Sequence, residues 1–207
     1  MMLWSAAAPA PNPRRVTIFL AEKGVTIPVT DLAIFKGEHK APAFVEKNPR
    51  GQVPALELDD GTVIAESISI CRYFDALYPE PPLFGTDPLD RALVDMALRR
   101  VETVLGIPLS MVWMHCHPFT AAVVVPQYKD FGESNRAKVA TALAWFDAAI
   151  APGGFVAGER FSIADIALWS TLDFGRAVGL VMLDDTPALA DWFARVAARP
   201  SIAAGAG

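Results

Sequence analysis

The residues whose types and spacing could do chemistry lie close together, between Asn48 and Ser67. Asn48-Pro49-Arg50-Gly51-Gln52-Val53-Pro54 ends on a proline that opens a strand. If the Val53–Pro54 bond is cis, as in ~5% of such bonds, the Val53 amide and carbonyl face outward, ready to pair with an extended peptide-like ligand. Further on, Glu66-Ser67 starts a helix, and the N-terminal amides and dipole of a helix favour a carboxylate. A glutamate beside them can accept an ammonium. Together these groups would hold the head of an α-amino acid. The same pair also reads as local helix chemistry, with Ser67 as N-cap and Glu66 as a first-turn acid. The sequence leaves both readings open.

The elements that must position these residues are short and punctuated by Pro and Gly. Met2-Leu3-Trp4 reads as a strand. A helix follows, with Asn12 as N-cap, Pro13 at N1 and apolar Val16, Phe19 and Leu20 on one face, ending at Gly24. Ile27 to Leu32 is a second strand and Pro42 to Glu46 a short helix. Residues 55–58 and 62–65 form a hairpin turning at Asp60-Gly61, and the helix after Ser67 carries Ile70, Phe74 and Leu77. A parallel pair joined by a helix, then an antiparallel hairpin, predicts one mixed sheet. Pro79-Glu80-Pro81-Pro82 suits a stiff connector. Beyond it the pattern is all helical. Asp87 caps a helix with Pro88 at N1 and a face of Leu93, Ala97, Val101 and Leu105; further helices fall at about 133–150, 162–178 and 187–198. Ser162 and Asp165 are spaced as a capping box flanked by Phe161 and Ile166 at the staple positions, a purely structural signal. The predicted division is an α/β domain over 1–80, a linker over 81–86 and an all-α domain over 87–207.

Composition narrows the function. The chain has 207 residues, 53% of them hydrophobic, and a formal net charge of −5. That excludes a disordered chain and the basic footprint of a nucleic-acid binder. Its most apolar stretches fall short of the ~20 residues that span a bilayer, so no membrane partner is expected. Cys71 and Cys116 stand apart without CxxC spacing, which points to the reducing cytoplasm. The N-terminus lacks the basic start of a secretion signal. His115-Cys116-His117 invites a metal reading, but residues two apart on a helix face different ways, and no metal is expected. The apolar surplus needs a subunit interface or an apolar ligand pocket.

In order and at this spacing, the pieces resemble a bacterial glutathione S-transferase of the theta- or nu-like kind. Asn12-Pro13-Arg14-Arg15-Val16 is similar to the family's first helix start, Asn48 to Pro54 to its N-P-x-G-x-V-P loop, and Glu66-Ser67 with Ile70 and Tyr73 to its E-S-x-x-I-x-x-Y motif. Phe161 to Ile166 is similar to the capping box of its helical domain. The resemblance implies a thioredoxin-like N-terminal domain (βαβαββα), a helical C-terminal domain, a cytosolic homodimer and a role in detoxification. Glutathione would be the co-substrate and a small hydrophobic electrophile or mixed disulfide its partner. It also implies that Val53-Pro54 is cis, that Val53 pairs with the cysteinyl part of glutathione, and that Glu66 and Ser67 hold the γ-glutamyl head with Gln52 nearby. His39 or Lys40 would meet the glycyl carboxylate; Arg14, Arg15, His39, Lys40 and Arg50 form a basic cluster suited to an anionic tripeptide. Met111, Trp113 and His115 would line the electrophile pocket.

One departure stands out. Where similar proteins carry a catalytic Ser or Thr, two residues before the position of Asn12, this chain has Ala10. Asn12, whose amide can donate, and Ser5, at the end of the first strand, are the candidates to hold the glutathione sulfur, and Asn12 is favoured. Glutathione conjugation, disulfide reduction and peroxide reduction all fit. The alternative is a non-catalytic glutathione-binding or scaffold protein of the same fold.

Overall fold

In the computed structural model, which describes residues 1–204, contacts gather the chain into two units. The first is Met1–Phe84 with the segment from Ala198 onward; the second is Gly85–Ala197.

The first unit is organised by strand β1 (Met2–Ser5), in which Leu3 and Ser5 are buried while Met2 and Trp4 are half-buried. This alternation fits a central strand covered differently on its two faces. β1 pairs in parallel with β2 (Val29–Asp31) and antiparallel with β3 (Ala55–Glu57), and β3 pairs antiparallel with β4 (Val63–Ala65), giving the order β2-β1-β3-β4. The predicted mixed sheet is therefore present. The hairpin closes with the Gly61 N–H donating to the Leu58 carbonyl (3.0 Å) and the Leu58 N–H to that of Thr62 (2.8 Å). Gly61 has φ +84°, the left-handed position at the end of a three-residue hairpin loop. Helices α1 (Pro11–Glu22) and α3 (Ser67–Leu77) pack on each other and bury Val16, Ile18, Phe19, Ile70 and Phe74 with Leu3 and Leu56 of the sheet. Trp4 turns to the opposite face, where its ring lies 5.9 Å from Phe44 of α2 (Pro42–Lys47) and its Nε1 donates to Glu57 (2.9 Å).

Three boundaries differ from expectation. α1 starts earlier than predicted. Ala10 is the N-cap residue, Pro11 takes N1, and Asn12 lies inside the helix. The fixed φ of Pro11 suits N1, and the Ala10 carbonyl receives the Arg14 N–H (3.3 Å), so Asn12 is not the cap. β2 is shorter than the predicted 27–32, although ladder hydrogen bonds continue from the Leu3 N–H to Pro28 and from the Leu32 N–H to Ser5. The proline connector is no free link: Lys23 Nζ, fully buried, donates to Asp75 (2.6 Å) and to the carbonyls of Pro79 (3.2 Å) and Pro81 (2.6 Å). Phe84, just beyond, packs on Phe19 at 5.8 Å.

The last helix also belongs to the first unit, whereas the predicted division left everything after 87 in the helical half. Arg199 forks onto Glu22 through Nε and an Nη, both at 2.8 Å, and Ser201 of α10 (Pro200–Ala204) donates to the same carboxylate. Burial alone would raise the Glu22 pKa, but the hydrogen bonds from Arg199 and Ser201 outweigh it and hold the carboxyl below its usual range. Residues 205–207 of the predicted domain lie outside the described residues.

The second unit begins with α4 (Pro88–Arg100). Its N-cap Asp87 accepts from Leu89 (2.9 Å) and Asp90 (3.0 Å), as predicted. The helix widens into a π turn over 101–106 before α5 (Ile107–Cys116). Pro108, at the start of α5, has no N–H to continue a regular ladder, and such wide turns commonly relieve that conflict. Ala97, Val101 and Leu105 are buried as predicted, but the stripe is centred on Val94 and Leu98, leaving Leu93 41% exposed. The single helix predicted for 133–150 is two: α6 (Lys129–Ser134) and α7 (Arg136–Ala149). They break at buried Asn135, whose Nδ2 donates to the Phe131 carbonyl (2.7 Å). α8 (Ile163–Ala177) is buried from Ile163 to Leu172, and α9 (Pro187–Ala197) follows. Among the described residues, no helix is long and apolar enough to cross a membrane.

The predicted capping box at α8 is complete and does more than cap. Asp165 is fully buried and accepts from the Ser162 N–H and hydroxyl (both 2.9 Å), the Val156 N–H (2.9 Å) and Trp192 Nε1 (3.1 Å). It thus joins the start of α8 to α9 and to the preceding loop. Burial pushes its pKa up to about 6 even though each of these bonds lowers it. Because the folded-state pKa lies above the ordinary 3.8, the contribution of this ionisation to stability is greatest below pH ~4 and declines as pH rises to about 6. Asp165→Asn places an NH2 against these donors and should cost about 2 kcal/mol or more at pH 7. Urea denaturation at a series of pH values should show that loss and a flatter stability profile between pH ~4 and 6 than in the parent.

Candidate functional site

The loop from Asn48 to Pro54 is built around one buried side chain. Asn48 Nδ2 donates to the Gln52 carbonyl (2.7 Å), while the Asn48 carbonyl accepts from the Gly51 N–H (2.7 Å). Gly51 has φ +54°, and a Cβ there would lie 2.8 Å from the His39 carbonyl oxygen and 3.0 Å from Lys40 Cδ. Only glycine permits both the backbone conformation and the approach. Lys40 Nζ completes the join by donating to the Arg50 carbonyl (2.9 Å). The Val53–Pro54 bond is cis, as the family resemblance implies. Val53 is half-buried, and its N–H and C=O have no hydrogen-bond partner among the described residues.

The N-terminus of α3 comes next to this loop. Glu66 occupies the N-cap with φ +69°, the one non-glycine residue at positive φ among the described residues. Such a conformation costs on the order of 1–3 kcal/mol and gathers at ligand clamps. No side chain caps the helix, so the N–H groups of its first turn remain directed outward. Ser67 is therefore not the N-cap of the local reading; it sits at the first helical position, 6% exposed. Arg50 Nη1 lies 3.7 Å from Glu66 Oε1, with both side chains about two-thirds exposed (70% and 67%). Water screens a pair of this kind, and the carboxylate stays open to a cation. Gln52 is exposed beside them.

The two candidates for holding a sulfur differ in exposure. Asn12 is exposed at the start of α1, and its side chain makes no hydrogen bond among the described residues. Pro11 and Pro13 carry no N–H, so Asn12 supplies the one backbone donor in the first three helical positions. Ser5, 2% exposed, lines a cleft of about 350 Å³ with Arg14, Thr17 and Asp31. That cleft runs along α1 on the β2 side, away from β3 and β4, so Arg14 lies with Ser5 and not with Val53 and Ser67.

The predicted basic cluster is correspondingly smaller. Arg15 is 7% exposed and buried beneath α1 near Cys71. Burial pushes the Cys71 thiol well above the usual range, with Arg15 opposing the shift. His39, Lys40 and Arg50 do gather at the Gly51 loop. His39 Nδ1 is buried with no hydrogen-bond partner among the described residues, and burial, then the Lys40 charge, lowers its pKa.

In the second unit, Trp113 and His115 of α5 point apart. Trp113 meets Phe174 of α8 edge-on (5.2 Å) and lies against His117 (4.3 Å) and Phe119 (6.3 Å). His115 instead faces Phe131 (5.5 Å), and its Nδ1 accepts from the Tyr128 N–H (3.2 Å). It fastens α6 to α5. Met111 is half-exposed on the same helix. His117 Nδ1 accepts from the Phe119 N–H (3.2 Å), so the two histidines each satisfy a backbone donor. Sequence reasoning assigned nothing to Asn48, Phe119 or Phe174. The signal for Asn48 is a short amide at the head of its motif, able to donate to the turn that follows, whereas nothing local marks Phe119.

Comparison with known proteins fits this geometry. The family description "Glutathione S-transferase, N-terminal domain" matches residues 10–77, and "Glutathione S-transferase, C-terminal domain" matches residues 111–200. The chain is 38% identical over 205 residues to glutathione S-transferase 2 of Saccharomyces cerevisiae, covering 98% of this chain and 88% of that protein. A glutathione S-transferase domain-containing protein from Marinobacter aquaeolei superposes with a TM-score of 0.91 at 35% identity, covering 98% of this chain and 100% of the other. Gtt2 from Saccharomyces cerevisiae gives a TM-score of 0.91 at 37% identity, covering 99% and 100%. With its thioredoxin-like and helical parts in the same order as these proteins, the chain belongs to the glutathione S-transferase family.

Proposed function

We propose that this protein is a glutathione transferase, which binds glutathione on the first unit and presents its thiolate to an apolar electrophile or mixed disulfide. The observation that carries this reading is the open Val53 peptide beside the uncapped start of α3. An extended tripeptide can take both backbone hydrogen bonds of Val53 through its cysteinyl residue. Its γ-glutamyl carboxylate then faces the first-turn amides of α3 and the Ser67 hydroxyl, and its ammonium faces Glu66. Gln52 flanks this head group, with Pro54 fixing the strand that follows. His39 and Lys40 are the cations for the glycyl carboxylate. Arg14, directed to the β2 side, serves as a long-range positive charge.

A free thiol has a pKa near ~8.5, so only a few per cent is thiolate at neutral pH. Asn12 supports ionisation in two ways, with its backbone N–H at the start of α1 and with its side-chain NH2. The burial of Ser5, against the exposed side chain of Asn12, favours Asn12 as the donor. Residues 1–84 with 198–204 then serve as the glutathione-binding part and 85–197 as the electrophile-binding part, where Trp113 and Met111 supply apolar surface and His115 supports α6. Glutathione is a co-substrate, and the chemistry needs no metal.

The apolar surplus supports a homodimer. Leu89, Leu93, Met96, Val104 and Ile107 recur along one face of α4, the π turn and α5, each 41–69% exposed, a stripe that a second copy would cover. A cytoplasmic detoxifying enzyme fits the absence of paired cysteines.

Immobilised glutathione should retain the protein, and a chloronitroaromatic or a glutathione mixed disulfide should be turned over; retention without turnover of either would leave the non-catalytic binding protein as the answer. Ser67→Ala should raise KM for glutathione about ten-fold, the effect of ~1.4 kcal/mol, with a smaller change in kcat. The pH profile of kcat/KM for the electrophile at saturating glutathione reports the thiol of the enzyme–glutathione complex: activity rises with pH through its bound pKa. Asn12→Ala should move that rise to higher pH by up to about one unit, whereas Ser5→Ala should leave its position unchanged. The opposite pattern transfers the role to Ser5. Met96→Glu should convert a dimer to monomer in sedimentation analysis; a parent that sediments as a monomer rejects the proposed interface.

A further inference from the structure

β2 is an edge strand: the sheet runs β2-β1-β3-β4, and β1 is the one strand beside it among the described residues. The parallel register decides which of its peptide groups are used. The Leu3 N–H donates to the Pro28 carbonyl and the Leu32 N–H to that of Ser5, both at 2.9 Å, so residues 28, 30 and 32 face β1. Val29 and Asp31 direct their N–H and C=O groups to the outer side, where no described residue meets them. Both residues are exposed, Val29 at 48%. Sheet edges are commonly blocked by proline or a bulge. Here Pro28 lacks its N–H on the β1 side, and the outer row is intact.

The open edge is one bank of the cleft of about 350 Å³, and α1 is the other. The helix runs back past the strands, as a crossover must. Leu20, Val25 and Ile27 therefore line the end at the start of β2, and Ser5 and Asp31 line the other. Ser5 and Asp31 are register partners across β1 and β2, so their side chains share a face. Ser5 is 2% exposed, yet its hydroxyl makes no hydrogen bond among the described residues. Buried hydroxyls are ordinarily paired, and this one lines the cleft. The Asp31 carboxylate beside it accepts no hydrogen bond and joins no ion pair among the described residues. On the α1 bank, Arg14 is engaged in an interaction of its own, and the Thr17 hydroxyl donates to the Arg14 carbonyl (3.1 Å). The polar end of the cleft thus presents an open carboxylate and an open hydroxyl.

We propose that this cleft takes an extended peptide as an added strand on the β2 edge, with a lysine or arginine of that peptide opposite Asp31. A strand laid between a helix and an open edge gains main-chain hydrogen bonds from the edge and side-chain pockets from the helix. Val29 and Asp31 supply the main-chain partners. Side chains of a strand alternate, so every second residue of the peptide points into the cleft. A basic side chain there donates to the Asp31 carboxylate and the Ser5 hydroxyl. An apolar side chain two residues away reaches the hollow formed by Leu20, Val25 and Ile27. Charge complementarity selects this occupant, because the open groups at the polar end are an anion and a hydroxyl, and the chain as a whole carries −5. The inference is independent of the transferase reading. The groups proposed for glutathione, Val53, Glu66 and Ser67, flank β3 and β4, on the other side of β1 from β2.

The probe is the acetylated and amidated peptide Thr-Val-Thr-Lys-Thr-Val-Thr, whose central lysine has a valine two residues away in either strand direction. The full-length protein should bind it, and amide hydrogen exchange at Val29 and Asp31 should slow about ten-fold or more at saturation. Asp31→Lys, at an exposed position, should weaken this peptide about five-fold and strengthen Thr-Val-Thr-Glu-Thr-Val-Thr by a similar factor. Ser5→Ala should weaken the lysine peptide about five-fold, the scale of one hydrogen bond. Peptides N-methylated at every second residue, prepared in both phases, leave the protein itself untouched. Binding should be lost in the phase that blocks the edge-facing N–H groups and kept in the other. Absence of binding, binding without protection of Val29 and Asp31, or equal binding of both N-methylated phases overturns the inference. Displacement of the peptide by glutathione overturns it too, by placing the peptide in the other site. Preference of the parent for the glutamate peptide overturns the choice of a basic residue. Protection of the two amides without peptide, growing with protein concentration, gives the edge to a second copy of this chain and overturns the inference as well. The transferase reading is tested separately by turnover and stands or falls apart from these outcomes.

Discussion

The two hydrogen bonds of Asn48 are the constraint on which the candidate site depends. A backbone loop can offer its peptide groups to a ligand only if it does not use them on itself, yet unpaired peptide groups tend to collapse onto the nearest partner. Asn48 resolves this by taking the Gln52 carbonyl and the Gly51 N–H, so the turn is closed one residue before Val53. Gly51 then lets the turn lie against the His39 carbonyl, and Lys40 ties the two segments through the Arg50 carbonyl. The Val53 peptide is left open on a rigid support. The bond to the Gln52 carbonyl needs a side-chain donor, which aspartate and leucine both lack, whereas the carbonyl that takes the Gly51 N–H belongs to the backbone.

The same economy runs through the helix starts. α1 opens with two prolines around Asn12, which concentrates its first-turn donors at a single residue, and α3 opens without any side-chain cap. Helices usually satisfy their first N–H groups locally. α4 and α8 in the second unit do so, through Asp87 and Ser162. α2 and α6 also start without a side-chain cap, so what sets the open start of α3 apart is its place beside the Val53 loop and the carboxylate of Glu66. The absence of a hydroxyl at Ala10 is intelligible in these terms, since backbone amides and an asparagine NH2 can stabilise a thiolate by hydrogen bonding without a side-chain O–H.

Much of the fold was legible because local chemistry and global topology agree. The hairpin at Asp60-Gly61, the cap at Asp87 and the box at Ser162–Asp165 are each fixed by a few neighbouring residues. What the sequence concealed was set by competition between such signals or by distance. Asn12 is a good N-cap residue, but Pro11 at N1 outweighs it. Asn135 divides what the apolar pattern reads as one helix by bonding backward to Phe131. Pro79 to Pro82 resembles a free connector until buried Lys23, more than fifty residues earlier, is found donating to its carbonyls. The place of Ser5 in a cleft beside α1 and β2, and the burial of Arg15, depend on strand order and helix phase, which no single motif encodes.

The apolar surplus has a specific distribution. The largest side chains of the core, such as Trp192, Phe19, Phe74 and Phe146, are fully enclosed, so folding accounts for them. Exposed apolar side chains occur along the chain, Phe35 and Met182 among them, but they are dense on α4, α5 and the loop that follows, although a helix apolar on most sides would ordinarily be buried all round. Here it is not: Ile107 and Met114 of α5 are exposed, at 53% and 37%. The two exposed apolar regions differ in construction. The stripe from Leu89 to Ile107 is interleaved with charged residues such as Arg91, Asp95 and Arg99 and consists of flexible aliphatic side chains on an extended helical face, which suits another protein surface. The rings around Trp113 are braced by Phe174 and form a stiffer surface.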